Sequence, residues 1–149
     1  MTEIGFYHLT RTPLDQALPK LLGRVLAQQG RAQVLCADDE RLRALDAALW
    51  TSQDPDWLPH GSKASGHAAM QPIWLTVEDA PAPNGARFLF LVDGAESVHL
   101  AEYDRVLDLF DGGDEDAVAA ARQRWRDAKA AGHGLAYWKQ GPRGWEKAA

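Results

Sequence analysis

Apolar residues in this chain come in short continuous blocks, separated by stretches in which they recur every three or four positions. That rhythm is the signature of strands alternating with helices. "EIGFYHL", Glu3 to Leu9, predicts a first strand. In "TPLDQALPKLLGRVLAQQG", Leu14, Leu18, Leu21, Leu22 and Val25 keep helical spacing, with Thr12 as N-cap before Pro13 and Gly30 as the stop. Pro19 inside that segment is a point where the helix is expected to bend. "RAQVLCA", Arg31 to Ala37, predicts a buried second strand. "DDERLRALDAALW" predicts a second helix, acidic at its start as the macrodipole prefers.

The rhythm then stops. Thr51 to Gln71 has no period, carries two prolines and reads as a long loop. It resumes with strands in "PIWLTVED" and "RFLFLVDG" around the turn "APAPNGA". "SVHLAEYDRVLDLFDGG" predicts a short helical or irregular piece, then a strand near Arg105 to Phe110. "DEDAVAAARQRWRDAKAAGH" predicts the strongest helix, capped by Asp114 and stopped at Gly132. "LAYWKQ" predicts a last strand, and residues 141–149 a tail. No segment repeats another. The pattern predicts one α/β domain over 1–149, an α/β/α sandwich around a largely parallel sheet.

Composition adds little beyond a globular class: 46% hydrophobic and 25% charged residues over 149 positions. No apolar run approaches the roughly 20 residues of a membrane span. The N-terminus lacks a signal-peptide pattern, so residence in the cytoplasm is expected. A single cysteine, Cys36, leaves no disulfide framework.

Charge distribution says more than the total of −5. Residues 118–149 carry seven Lys or Arg against Asp127 and Glu146, a local +5, while the rest holds nine bases and nineteen acids. An acidic body disfavours a broad nucleic-acid surface, but a small cationic patch can still receive a compact anion.

Known chemistry is scarce. Neither GxxxxGK[ST] nor GxGxxG occurs, and "HLTRTPLDQAL" after the first strand has no glycine to cradle a phosphate. The five histidines are scattered without metal-ligand spacing, and "DLFDGGDEDA" lacks the pattern of a calcium loop. Cys36 lies within an apolar run, which predicts an inert buried thiol. No catalysis, cofactor or metal is expected; binding is the better class.

Two regions stand out. On the last helix, Ala117, Ala120, Ala121, Ala128 and Ala131 predict a small-residue face against the sheet. Arg122, Trp125, Arg126 and Lys129, at i, i+3, i+4 and i+7, are then expected on roughly the opposite side. An aromatic flanked by cations suits an acidic peptide ending in an apolar side chain and a carboxylate. The second region is "ALWTSQDPDWLPHG", whose Trp50, Trp57, Leu58 and Pro59 either fold back on the core or present a contact surface.

Taken together, "FYHL", "VLCADDERLRALDAALWTSQDPDWLPHG" and "ARQRWRDAKAAGHGLAYWKQGPRGWEKAA" resemble the chi subunit of bacterial DNA polymerase III across nearly the full length. The specific combination is "LDAALW", then "WLPH", then an "RxRW…K…GH…YW" ending. The resemblance implies an α/β/α domain shaped like nucleotide-binding folds but without their phosphate loop. It also implies a non-catalytic subunit of the polymerase III holoenzyme, in its clamp-loader assembly. One surface would bind the psi subunit and another the acidic C-terminal tail of single-stranded-DNA-binding protein.

Carried onto this sequence, the tail site would use Arg122, Trp125 and Arg126, with Phe110 nearby and Lys129 on the same face. Val118 stands where other members carry a lysine, and Arg124 or Lys129 would have to replace that cation. The psi-facing surface would comprise Trp50, Trp57, Leu58, Pro59 and His60. The rival from another class is direct single-stranded nucleic-acid binding through Trp125, Trp138, Trp145 and the C-terminal cations.

Overall fold

A computed structural model describes residues 2–52 and 58–149. Its strands are β1 (Glu3–Leu9), β2 (Ala32–Leu35), β3 (His60–Ser62), β4 (Ile73–Thr76), β5 (Phe88–Val92), β6 (Arg105–Asp111), β7 (Gly134–Gly141) and β8 (Gly144–Lys147). The helices are α1 (Leu14–Ala27), α2 (Asp39–Trp50) and α3 (Glu115–Ala130). The strands form one sheet in the order β3-β4-β2-β5-β6-β1-β7-β8. Every neighbouring pair is parallel except β7 and β8, an antiparallel hairpin. The largely parallel α/β sandwich predicted from the sequence is therefore what forms.

Alternation along the strands divides the core in two. One cluster joins Leu18, Leu21, Leu22 and Val25 of α1 and Leu45 and Leu49 of α2 to Val34, Ile73, Leu75, Phe90 and Leu109 of the sheet. The other, on the opposite face, joins Ile4, Phe6, Leu89, Leu91, Val106 and Phe110 to Ala121 and Ala128 of α3. Helices on both faces explain why β4 and β5 are largely continuous apolar runs and why all four residues of β2, Gln33 included, are buried. No described helix is long and apolar enough to cross a membrane.

Helix boundaries follow their caps. The Asp38 carboxylate accepts from Arg41 N, and that of Asp114 accepts from Asp116 N and Ala117 N, as the sequence predicted for α3. Gly132, at φ +86, supplies the left-handed residue that ends α3. α1 departs from expectation at both ends. Pro13 is its N-cap with no side-chain cap, and the left-handed residue after it is Gln29, not Gly30. Thr12 is engaged elsewhere, as described below.

Two segments expected to lack structure contain strands. The stretch 51–71 includes β3, which adds to the sheet edge through pairing with β4. Residues 141–149 include β8, which folds back on β7, so the C-terminal segment belongs to the sheet.

Candidate functional site

The cap at Asp114 and the small side chains of Ala121 and Ala128 let α3 lie close over β1, β6 and β7. Ala121 and Ala128 are buried as expected, but Ala120 and Ala131 are exposed and Ala117 only half-buried. Trp125 does not stand opposite this face. It lies half-buried at its margin, edge-on to Phe6 at 5.3 Å and to Tyr137 at 6.0 Å between ring centroids. The reason is packing: two alanines alone leave a gap above the sheet, and the indole, one turn from each, closes it.

The aromatic shelf continues past Trp125. Tyr137 is edge-on to Phe110 at 6.1 Å, and Phe110 lies 5.1 Å from the ring of His8. His8 Nδ1 and the Tyr137 hydroxyl are 2.6 Å apart and hydrogen-bonded. Phe110 itself is buried, so it supports the shelf from below; Val118 packs half-buried at the same margin. Burial raises the Tyr137 hydroxyl, with the Arg122 guanidinium opposing it. Burial also lowers the His8 imidazole, and Lys139 and Arg122 push the same way.

Around this shelf stand the exposed cations Arg122, Arg126 and Lys129. Among the described residues Arg122 and Lys129 form no ion pair, and Arg126 only donates to Gln123 Oε1 at 2.7 Å. Arg124 is not free to join them. Its guanidinium donates to both carboxylate oxygens of Asp108, at 2.6 and 3.0 Å, inside the second cluster. It is therefore not available as the substitute cation that the resemblance would call for near Val118, whereas Lys129 stays exposed. Sequence reasoning missed His8 and Tyr137 as parts of this site. The signal available was strand alternation, which puts Phe6 and His8 on one face of β1.

The second candidate region divides differently. Trp50, at the end of α2, is 63% exposed and leans on the His60 ring at 4.7 Å between centroids. Leu58 is buried in the first core cluster, and Pro59 is half-buried. The His60 side chain is fully covered. Its Nδ1 lies 2.6 Å from the Leu58 carbonyl, and its Nε2 stands 3.0 Å from Asp46 Oδ1 without the alignment of a hydrogen bond. Leu58 and His60 thus anchor the segment, and Trp50 is its outward face. Trp57 lies outside the described residues.

The loop after β1, where nucleotide-binding folds place a phosphate, has an internal occupant. The backbone N–H groups of Thr10, Arg11 and Thr12 all donate to Gln140 Oε1, at 2.9, 2.8 and 3.1 Å. Gln140 Nε2 in turn donates to Thr12 Oγ1 at 2.6 Å, which explains why Thr12 does not cap α1. A neutral side chain from β7 satisfies the donors that an anion would otherwise recruit.

The family described as DNA polymerase III chi subunit, HolC, matches residues 1–136. A curated protein of Rickettsia prowazekii (strain Madrid E), described as probable DNA polymerase III subunit chi, is 28% identical over 109 residues. That alignment covers 71% of this chain and 66% of the relative, a little under two thirds of its length.

Proposed function

The chain belongs to the DNA polymerase III chi subunit family, and from that premise we propose that it is a non-catalytic accessory subunit of the replicative polymerase, working in the cytoplasm. In this reading it bridges the clamp loader to the acidic C-terminal tail of single-stranded-DNA-binding protein. Arg122 and Lys129 pair with the tail's carboxylates, Arg126 contributes once it leaves Gln123, and Trp125 packs against the terminal aromatic. The Trp50 end of α2, with Pro59 and Trp57, is the surface for psi.

The observation that carries the reading is the pairing of Trp125, half-buried on an aromatic shelf, with the exposed cations Arg122 and Lys129, which form no ion pair among the described residues. Unsatisfied cations beside an apolar surface favour a ligand that is acidic and ends in an apolar group. The rival reading, a single-stranded nucleic-acid platform, is disfavoured by where its tryptophans lie. Trp138 and Trp145 pack on Tyr7, on the α1 face, while Trp125 packs on Phe6 and Tyr137 beneath α3. Three rings on opposite faces of a sheet cannot stack successive bases.

Titration calorimetry with a short aspartate-rich peptide ending in phenylalanine tests the tail site. Binding near micromolar strength that weakens with salt, and disappears in Arg122→Ala, is expected. Equal binding by Arg122→Ala and the parent protein would remove the assignment.

A further inference from the structure

His8 and Tyr137 form a hydrogen-bonded pair at the edge of the aromatic shelf, and neither is among the residues that the sequence assigns to the tail site. His8 is held from three sides. Phe110 packs against its ring at 5.1 Å, Tyr137 bonds its Nδ1 at 2.6 Å, and the backbone of Gly112 hydrogen-bonds it along its other edge. A Cβ built on Gly112 would come within 2.1 Å of Nε2, so only glycine admits the ring in this pose. The imidazole is nevertheless only half-buried. The charged groups facing it are Lys139 from β7, Arg122 from α3 and Asp111 at the end of β6. In the empty site burial lowers the imidazole's pKa and Lys139 and Arg122 add to it, against the Gly112 backbone hydrogen bond and Asp111, which raise it.

We propose that the His8–Tyr137 pair is a further carboxylate-recognising part of the tail site, in which Tyr137 donates to the ligand and His8 positions it by taking up a proton when an acidic peptide binds. The inference rests on the tail-binding reading above. The chemistry follows from the pair's hydrogen bond. In the neutral ring, with the proton on Nε2, Nδ1 accepts from the Tyr137 hydroxyl. An arriving carboxylate neutralises Arg122 and favours the imidazolium. Nδ1 then gains a proton from solvent and becomes a donor to the Tyr137 oxygen. The phenol keeps its own proton and turns it toward the ligand. One net proton enters, and the site gains one positive charge and one donor.

The sign is fixed by linkage. If the complex binds more protons than the free protein, affinity rises as pH falls between the raised pKa of the complex and the lowered one of the free protein. Each unit of separation is worth about tenfold in affinity. The test is calorimetry of the same aspartate-rich, phenylalanine-terminated peptide at about pH 6.5, near the ordinary histidine value, in two buffers of different ionisation enthalpy. A difference in apparent enthalpy corresponding to proton uptake is expected in the parent protein. It should be absent in His8→Gln and in His8→Lys, with His8→Lys binding at a strength independent of pH.

Binding without proton uptake, or uptake that survives in His8→Gln, overturns the inference and leaves the tail-binding reading standing. No binding at any pH overturns both. Because the parent protein alone reports the proton count, misfolding of a variant does not rescue the idea.

Discussion

Arg124 on α3 and Asp108 on β6 form a bidentate pair across the second core cluster, at 2.6 and 3.0 Å, with the carboxylate side chain 2% exposed. The pair pins the rotation of α3, because Arg124 can reach Asp108 only when Ala121 and Ala128 face the sheet. Trp125 and the cations flanking it are oriented as a consequence.

Removing one partner should be costly. Arg124→Met strands a buried carboxylate and is expected to destabilise the fold by about 3–5 kcal/mol in urea denaturation at neutral pH. Burial pushes the Asp108 carboxyl up while Arg124 pulls it back. Without the arginine the upward push is unopposed, so the folded variant binds a proton more readily than its unfolded chain. The deficit should therefore shrink as pH falls toward the carboxylate range. A deficit that grows on acidification would contradict this account.

Trp125 has a structural role as well as the binding role proposed for it. Trp125→Ala opens the gap over Phe6 and Tyr137 and should cost about 2–3 kcal/mol, below the range for a fully buried tryptophan. Arg122→Glu, on an exposed position, should change stability by no more than about 0.5 kcal/mol. Thermal and urea unfolding of the two variants side by side check the difference. If they prove equally stable, the shelf contributes nothing to the fold.

Gln140 organises the loop after β1. Gln140→Ala withdraws one acceptor from three N–H groups and should cost about 1–2 kcal/mol. Amide hydrogen exchange is the sharper readout: Thr10, Arg11 and Thr12 should lose protection while the amides of β5 keep theirs. Uniform loss across the sheet would point instead to global destabilisation.

Cys36 should be inert. Burial, with Asp93 nearby, pushes its thiol up to about 12. Roughly one thiol in ten thousand is then ionised at pH 8. A thiol reagent should label the native protein negligibly and the urea-unfolded chain fully; prompt native labelling would contradict the burial.

Much of this fold was legible in the sequence, for identifiable reasons. β1 and the Asp114 cap of α3 appear where the residues predict them, because strand pattern and cap chemistry are local. β3 was not legible: "HGS" has no apolar alternation, and it becomes a strand only because β4 offers an unpaired edge. β8 escaped notice similarly, since its short run follows a Gly-Pro-Arg-Gly turn that reads as a tail. The phase of α3 was misjudged because five alanines outweighed one tryptophan, although the packed sheet needs only two alanines and the indole. The exposure of Arg122, Arg126 and Lys129 on α3 was legible from spacing, but not the fate of Arg124. That depended on Asp108 lying 16 residues earlier, on a strand beneath the helix.

The central claim is that the Trp125 shelf with Arg122 and Lys129 binds an acidic tail. The most direct test titrates the parent protein and Arg122→Glu with single-stranded-DNA-binding protein, intact or lacking its acidic C-terminus. Salt-sensitive binding of the intact partner by the parent protein is expected, with loss both on tail deletion and in Arg122→Glu. Binding that survives either change would contradict the claim.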